Sequence, residues 1–317
     1  MCICMNGYQI FIDGAAGTTG LQVQNRLEAQ PDLALIVLDD ADRKDDAIRA
    51  DAMAAADVTI LCLPDEAAKQ ATGTARKLSA RLIDASTAHR IDPGFIYGFA
   101  ELLKDGERQI AEAQYVSNPG CYPTGFLALV RPLIEAGWLS ADAMLHVPAV
   151  SGYSGGGKAM IAQYEAGNAP AYGSYGLNLA HKHLPEMTQH AGLSNAPLFL
   201  PSVGNFAQGM LVSVMLDKSY LSKAVSVDNI KELYHTRYQA DRLITVGTDN
   251  ELTENGFLAA DALAGTDRLE LFVFADSQND RLVLTARLDN LGKGASGAAV
   301  QNLNLMLGRD MLAGLSV

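Results

Sequence analysis

The sequence predicts an α/β protein in two parts: a doubly wound parallel sheet, then an α+β domain with a mixed or antiparallel sheet. Three observations carry that prediction. Early in the chain, apolar runs of strand length alternate with runs of helical periodicity, the pattern of βαβ units. A glycine-rich turn, Gly14-Ala15-Ala16-Gly17-Thr18-Thr19-Gly20, joins the first strand run to the first helical run. From Leu198 onward, strand runs follow one another with one helix between them. The first part is therefore a Rossmann-type dinucleotide-binding unit, with ligands expected at the carboxyl ends of its strands. The second part is left for substrate and chemistry.

Taken in order, Tyr8 to Asp13 is the first buried strand, and a helix runs from about Leu21 to Ala29 after the glycine turn. Leu33 to Leu38 is the second strand, and Val58 to Leu63 the third, halted by Pro64 and followed by a helix from about Glu66 to Leu78. Arg81 to Asp84 is the fourth, with Cys62 read as a core residue of the third. Ser117-Asn118-Pro119-Gly120-Cys121-Tyr122-Pro123-Thr124-Gly125 forces a turn. Pro123 then suits a first helical position, and Phe126, Leu127, Leu129, Val130, Leu133 and Ile134 mark one buried face. Leu145 to Val150 is a strand leading to a second glycine loop, Ser151 to Lys158, and a helix near Ala159 to Glu165; Gly167 to Gly176 reads as loop. The later strands are Phe199 to Ser202, Met210 to Leu216, Leu243 to Val246, Leu269 to Ala275 and Arg281 to Leu288, with a helix from about Val227 to Gln239. A third glycine turn, Asp289 to Gly297, opens an apolar helix from Ala298 to Leu307, which suggests that the terminus returns to the first domain. The expected domains are residues 1–118, joined by the C-terminal helical segment 290–317, and 119–289. No internal repeat or low-complexity linker interrupts them.

The 317 residues carry a net charge of −12, with 49% hydrophobic and 19% charged content. Such a chain is globular and lacks the basic footprint that nucleic acid requires. An anionic ligand must be held by local positive groups or helix N-termini. No apolar run approaches the ~20 residues of a membrane span, and Met1 to Gly7 has no secretory pattern. Four cysteines without framework spacing point to a reducing, cytoplasmic setting; Cys2 and Cys4 are read as tail residues.

Within the first glycine turn, Gly14, Gly17 and Gly20 permit a tight turn and close approach of backbone N–H groups to a pyrophosphate, with Thr18 and Thr19 at the helix end. The spacing is G-x-x-G-x-x-G, so an ordinary βα turn is the alternative, and the strand and helix on either side favour phosphate binding. Asp39-Asp40 ends the second strand where an acid selects NAD, whereas Arg43-Lys44 just beyond could pair with the 2′-phosphate of NADP. Residue chemistry alone leaves the choice open. Ser86-Thr87 and Leu63-Pro64-Asp65, at strand ends, could touch the cofactor or serve as caps.

Cys121 sits at or just before a helix N-terminus, where the dipole favours an anion and a thiol can ionise near neutral pH. A buried apolar cysteine is the alternative. In Leu179 to Met187, His181 and His183 share a face if the chain is extended, with His190 four residues beyond Glu186. Metal ligation lacks a third ligand at convincing spacing; a structural pair, or acid–base and anion-binding work, remain. His89, His146 and His235 stand alone as surface or satisfied polar residues. Three consecutive glycines and Lys158 could hold an anion, although the loop is no P-loop. A dinucleotide unit joined to a nucleophilic cysteine suggests thiolate attack on an activated acyl group and hydride exchange at that carbon.

Asp13 to Gly20, Ser117 to Gly125, Ser151 to Lys158, His181 to Glu186 and Gly292 to Asn302 resemble the short (type 2) form of the N-acetyl-gamma-glutamyl-phosphate reductase family over nearly the whole chain. The resemblance implies NADPH-dependent reduction of N-acetyl-L-glutamyl 5-phosphate to N-acetyl-L-glutamate 5-semialdehyde through a cysteine thioester, with release of phosphate, in arginine biosynthesis. It implies that Cys121 is the nucleophile and that His181 and His183 lie in the catalytic pocket, with His181 preferred as the base. The cofactor NADPH/NADP is then held by Gly14, Gly17, Thr18, Thr19, Gly20, Arg43, Ser86, Gly292 and Gly294. The substrate is held by Asn118, Ser151, Gly156, Lys158 and Glu186. No metal is implied, and no nucleic-acid or membrane partner; a homo-oligomer is expected. Ala15 stands where that form carries a larger residue, and Met1 to Cys4 lie outside its pattern. The alternatives are a related acyl-phosphate reductase of the aspartate-semialdehyde or lysine-pathway type, and a non-catalytic NADPH-binding redox sensor.

Overall fold

The computed structural model describes residues 7–39, 41–222, 225–278 and 280–317. Cys2, Cys4 and Asp40 lie outside the described residues. The chain divides into two compact units, Met1–Pro119 with Ala295–Leu315, and Gly120–Gly294 with Ser316–Val317. Pro119 thus groups with the first unit and residues 290–294 with the second.

In the first unit β1 (Tyr8–Asp13), α1 (Thr18–Glu28), β2 (Leu33–Ile36), α2 (Asp46–Ala55), β3 (Val58–Leu61), α3 (Asp65–Leu78), β4 (Leu82–Asp84), β5 (Ile96–Tyr97), α4 (Gly106–Glu112) and β6 (Tyr115–Ser117) follow in order. The sheet runs β2-β1-β3-β4-β6-β5, and every pairing in it is parallel. Both faces are covered, so the strands are apolar on both sides rather than alternating. Ile10, Ile12, Val58, Ile60 and Ile83 pack on one face with Val23 and Leu27. Phe11, Leu61 and Leu82 pack on the other with Met53, Ala68 and Ala71.

The helix after the glycine turn starts at Thr18, earlier than the periodicity suggests, because Gly17 is already its N-cap. Strand β3 ends at Leu61, so Cys62 follows it; burial pushes the Cys62 thiol up to about 12, and the nearby Asp84 and Asp13 carboxylates add to the shift.

The second unit begins with α5 (Cys121–Glu135) and continues through β7 (His146–Gly152), α6 (Gly157–Glu165), β8 (Tyr172–Ser174), α7 (Leu184–Ala191), β9 (Leu198–Gly204), β10 (Met210–Asp217), α8 (Val227–Tyr238), β11 (Ile244–Val246), β12 (Leu269–Ala275) and β13 (Arg281–Leu288). A single π-helical turn over Gly292–Ser296 leads into α9 (Gly297–Met306), whose Val300 and Leu303 complete the core of the first unit. The second sheet is mixed, in the order β11-β12-β13-β10-β7-β9-β8. Strand β8 forms within the segment read as loop, pairing antiparallel with β9.

Helix α5 starts at Cys121, not at Pro123, and it is buried from Tyr122 through Val130 rather than on one face. It packs on β10 and β13 and also against α7 and α8. A Cβ on Gly125 would stand 3.0 Å from Val212 and 3.1 Å from Ala286, so glycine lets the helix lie close on the sheet.

Candidate active site

In the first unit the chain leaves β1 at Asp13 and turns at Gly14, whose φ is +91°. A Cβ there would collide with the Cys62 carbonyl, and one on Gly20 would collide with the Gly14 carbonyl. The Gly17 N–H donates to the Gly14 carbonyl at 3.0 Å, which closes the turn. Gly17 brings no side chain to cap α1, and the first turn, Thr18 and Thr19 included, holds no acid. Bared backbone beside an acid-free helix N-terminus fits a dinucleotide pyrophosphate.

Strand β2 stops at Ile36, short of the expected Leu38, and beyond it Asp39 accepts the N–H groups of Ala41 and Asp42 at 2.9 and 3.0 Å. This fixes a short 3-10 turn over Asp42–Lys44 that carries an exposed Arg43. Ser86 is less available than its strand-end position suggests. Its hydroxyl donates to Asp84 Oδ2 at 2.8 Å and accepts from the Ala88 N–H at 3.1 Å. The same carboxylate oxygen bonds His89 Nδ1 at 2.6 Å, so His89 is a satisfied buried histidine. Asn118 is similarly engaged: its Nδ2 donates to the Ala295 carbonyl, and its Oδ1 accepts from Asn302 Nδ2, each at 3.0 Å. Sequence reading overlooked Arg90, a buried arginine just past the fourth strand whose Nε donates to the Asn118 carbonyl at 3.0 Å. Its place after Ser86-Thr87-Ala88-His89, at a strand's carboxyl end, was the available signal.

In the second unit Cys121 is the first residue of α5 and is partly exposed. The N-cap is Gly120, whose N–H donates to Glu186 Oε1 at 2.8 Å. Glu186, in the first turn of α7, is only 1% exposed. The residues leading into α7 are not a strand. His181 and His183 meet through a turn, with ring centroids 4.7 Å apart. Both rings present edges to Tyr122 at 6.1 Å. His181 Nδ1 accepts the His183 N–H at 3.2 Å, so the neutral ring carries its proton on Nε2. Burial, then the Lys182 charge, pushes His181 below its ordinary value, which keeps it neutral.

The Tyr175 hydroxyl donates to the Tyr122 hydroxyl at 3.2 Å, and Tyr122 donates to the Ser202 carbonyl at 3.1 Å. Burial lifts Tyr175 to about 12, and the charge of a Cys121 thiolate adds to the rise. Both the phenol and the sulfur therefore belong to one neighbourhood. Tyr175 and Tyr122 were missed from sequence because their meeting depends on β8 and α5 being brought together.

Ser151 is buried at the end of β7, its hydroxyl donating to the Gly152 carbonyl at 3.0 Å. Gly156 and Lys158 are exposed at the start of α6, with φ +74° at Gly157. Gly292 and Gly294, expected at the cofactor, belong to the second unit. A Cβ on Gly294 would lie 2.9 Å from Cys121 Cβ, and one on Gly292 would collide with the Thr266 carbonyl. These glycines make room for the cysteine helix and a neighbouring turn. Among the described residues no group of three or more His, Cys, Asp or Glu is placed to hold a metal ion. No helix among them is long and apolar enough to cross a membrane.

Residues 9–110 match the family described as "Semialdehyde dehydrogenase, NAD binding domain", and residues 121–290 match "Semialdehyde dehydrogenase, dimerisation domain". The chain is 48% identical to the N-acetyl-gamma-glutamyl-phosphate reductase of Trichormus variabilis, across 98% of this chain and 100% of that protein. It is 50% identical to the Brucella ovis protein of the same name, across 95% and 99%. It is 47% identical to N-acetyl-gamma-glutamyl-phosphate reductase 2 of Pseudomonas putida, across 94% and 96%. Among solved structures, aspartate semialdehyde dehydrogenase II from Vibrio cholerae matches with a TM-score of 0.72 at 14% identity, covering 95% of this chain and 98% of that one. The Candida albicans aspartate semialdehyde dehydrogenase, solved with NADP, matches with a TM-score of 0.64 at 12% identity, across 96% and 99%. At such identities the likeness establishes the fold.

Proposed function

The chain belongs to the N-acetyl-gamma-glutamyl-phosphate reductase family, and from that premise we propose a covalent reduction of N-acetyl-L-glutamyl 5-phosphate on Cys121. The observation that carries the proposal is a partly exposed cysteine at the first position of α5, where the helix dipole stabilises a thiolate. The sulfur attacks the acyl carbon, the bond from that carbon to the phosphate oxygen breaks, and phosphate leaves with the electron pair. When bound, NADPH supplies the hydride that converts the resulting thioester to N-acetyl-L-glutamate 5-semialdehyde. Release of the aldehyde returns the C–S electron pair to Cys121.

Throughout, His181 holds a proton on Nε2, opposite the nitrogen that accepts the His183 N–H. That proton is suited to the carbonyl oxygen as it gains negative charge. His183 is the buried N-cap of α7 and orients its neighbour. Glycines 14, 17 and 20, Thr18 and Thr19 hold the cofactor pyrophosphate, and Arg43 is the group for its 2′-phosphate. Lys158 and Gly156, at the acid-free start of α6, gather the anionic ends of the substrate. A reducing cytoplasm suits a reaction that needs its thiol intact.

A homo-oligomer completes the proposal. On the second sheet, Val212 lies on the face covered by α5, while Met215 of β10 and Leu198 and Leu200 of β9 are exposed. Met215 and Leu198 both register with His146, and Leu200 with Pro148. A second copy of the chain would bury this apolar face.

The test is Cys121→Ser, assayed as phosphate-dependent reduction of NADP by N-acetylglutamate semialdehyde. Activity should vanish while NADPH binding persists; an active variant would exclude covalent catalysis. Equal rates with the non-acetylated aldehyde would exclude the proposed substrate.

A further inference from the structure

The glycine loop is entered through a carboxylate. Asp13, the last residue of β1, is 4% exposed and directly precedes Gly14. A buried negative charge at the mouth of a pyrophosphate loop would repel the ligand that the loop's N–H groups attract. The chain answers it from α2. Arg49 Nη2 donates to Asp13 Oδ2 at 2.7 Å, and Arg49 Nε donates to the same oxygen at 3.2 Å. The guanidinium is itself largely covered, with 16% side-chain exposure. Its further bond, Nη1 to Asp46 Oδ1 at 3.1 Å, reaches an almost fully exposed acid that solvent screens. Arg49 also lines a cavity of about 190 Å³ between α2 and α3, together with Met53, Gln70 and Thr74.

We infer that Arg49 is a positioning residue for cofactor binding, acting through Asp13: it cancels the carboxylate beside the Gly14–Gly20 loop so that the loop can accept a pyrophosphate. The inference rests on the reading that this loop holds NADPH. Two other roles are physically open to the same side chain. Arg49 could contact the cofactor's 2′-phosphate from the cavity, or it could merely staple α2 to β1.

A double-substitution cycle on the full chain separates them, read by NADPH and NADH dissociation constants and by thermal unfolding of the cofactor-free protein. Arg49→Gln should weaken NADPH and NADH alike, by roughly tenfold or more, the scale of one uncompensated charge beside a polyanion. Arg49→Gln combined with Asp13→Asn should bind within about threefold of wild type, because the two effects are coupled rather than additive. If the double variant stays weak and the preference for NADPH over NADH collapses, Arg49 is a direct phosphate ligand and the inference is overturned. If all variants bind as wild type does and differ only in unfolding temperature, Arg49 is a staple and the inference is again overturned. A wild-type chain that binds neither nucleotide overturns this inference and the functional reading together, whereas the other two outcomes overturn the inference alone.

Discussion

Replacing Glu186 should disable the nucleophile without touching it. The Glu186 carboxylate accepts the Gly120 N–H at 2.8 Å, and Gly120 is the N-cap immediately before Cys121. A hydrogen bond to a charged group is worth about 1.5–3 kcal/mol, and a buried donor left unsatisfied costs a similar amount. Glu186→Ala removes the acceptor in a site that is 1% exposed, so the cap shifts or stays unpaired. A sulfur displaced by about 1 Å loses on the order of 10²-fold in rate. The expected result for Glu186→Ala is therefore a fall of roughly 100-fold, concentrated in kcat. Glu186→Gln keeps an oxygen acceptor in the same place and should stay within about tenfold of wild type. Steady-state kinetics, with alkylation of Cys121 by iodoacetamide as a second readout, makes the comparison. If Glu186→Ala instead raises KM alone and leaves kcat and alkylation unchanged, the carboxylate is a substrate ligand and the reasoning is refuted.

Two further outcomes follow from titration and from a buried ion pair. Because burial and then Lys182 depress His181, the folded chain binds fewer protons there than the unfolded chain does. Its contribution to stability is therefore lost as pH falls through the unfolded value near 6.5 toward the lower folded one. Lys182→Gln removes the lesser cause, so the acid limb of kcat/KM should move to higher pH at low salt; a limb that stays or moves down counts against His181 acting as a neutral ring. In the second sheet, Arg287 Nε donates to Glu270 Oε2 at 2.9 Å, and Arg287 also ties down the Glu251 and Ala259 carbonyls. Arg287→Leu should cost about 3 kcal/mol in urea unfolding, since Glu270 would be left buried with only the half-exposed Arg268. A loss below about 1 kcal/mol would show that Arg268 compensates.

Legibility in the sequence followed the strength of local signals. Strands β1, β12 and β13 have the ends that their apolar runs mark, because turn-forming residues bound each run. Strands β5 and β6 and helix α4 were invisible. Ile96–Tyr97 and Tyr115–Ser117 are too short to carry periodicity, and β6 exists only because β4 and β5 pair with it. The place of Cys121 at a helix N-terminus was legible because Pro119, Gly120 and Pro123 punctuate the chain around it. The nearness of His181 and His183 was expected from an extended segment; the turn into α7 achieves it instead. What Glu186 does could not be read, because its partner is 66 residues away. Asn118 and Ser86 have polar side chains where ligand contacts were expected, yet their bonds run to Asn302, Ala295, Asp84 and Ala88. A polar residue in a motif can serve the motif's shape.

The same distinction resolves how a chain of net charge −12 handles anions. Helices α2, α3, α4, α7 and α8 each carry an acid in the first turn, the ordinary way to satisfy a helix N-terminus. Helices α1, α5, α6 and α9 carry none, and the first three are each capped by a glycine, at 17, 120 and 156, that offers no side-chain acceptor. A serine or aspartate at those caps would stabilise the helix by about 1 kcal/mol and would occupy the N–H groups itself. Those three N-termini are the ones proposed to face the cofactor pyrophosphate, the cysteine thiolate and the substrate's anionic ends. Glu186, set against the α5 N-terminus, accepts the cap N–H and leaves the helix dipole to the sulfur. Asp13, beside α1, is cancelled by Arg49. Overall charge thus says little about anion binding in this fold; the acids kept out of the first turns of three glycine-capped helices say much more.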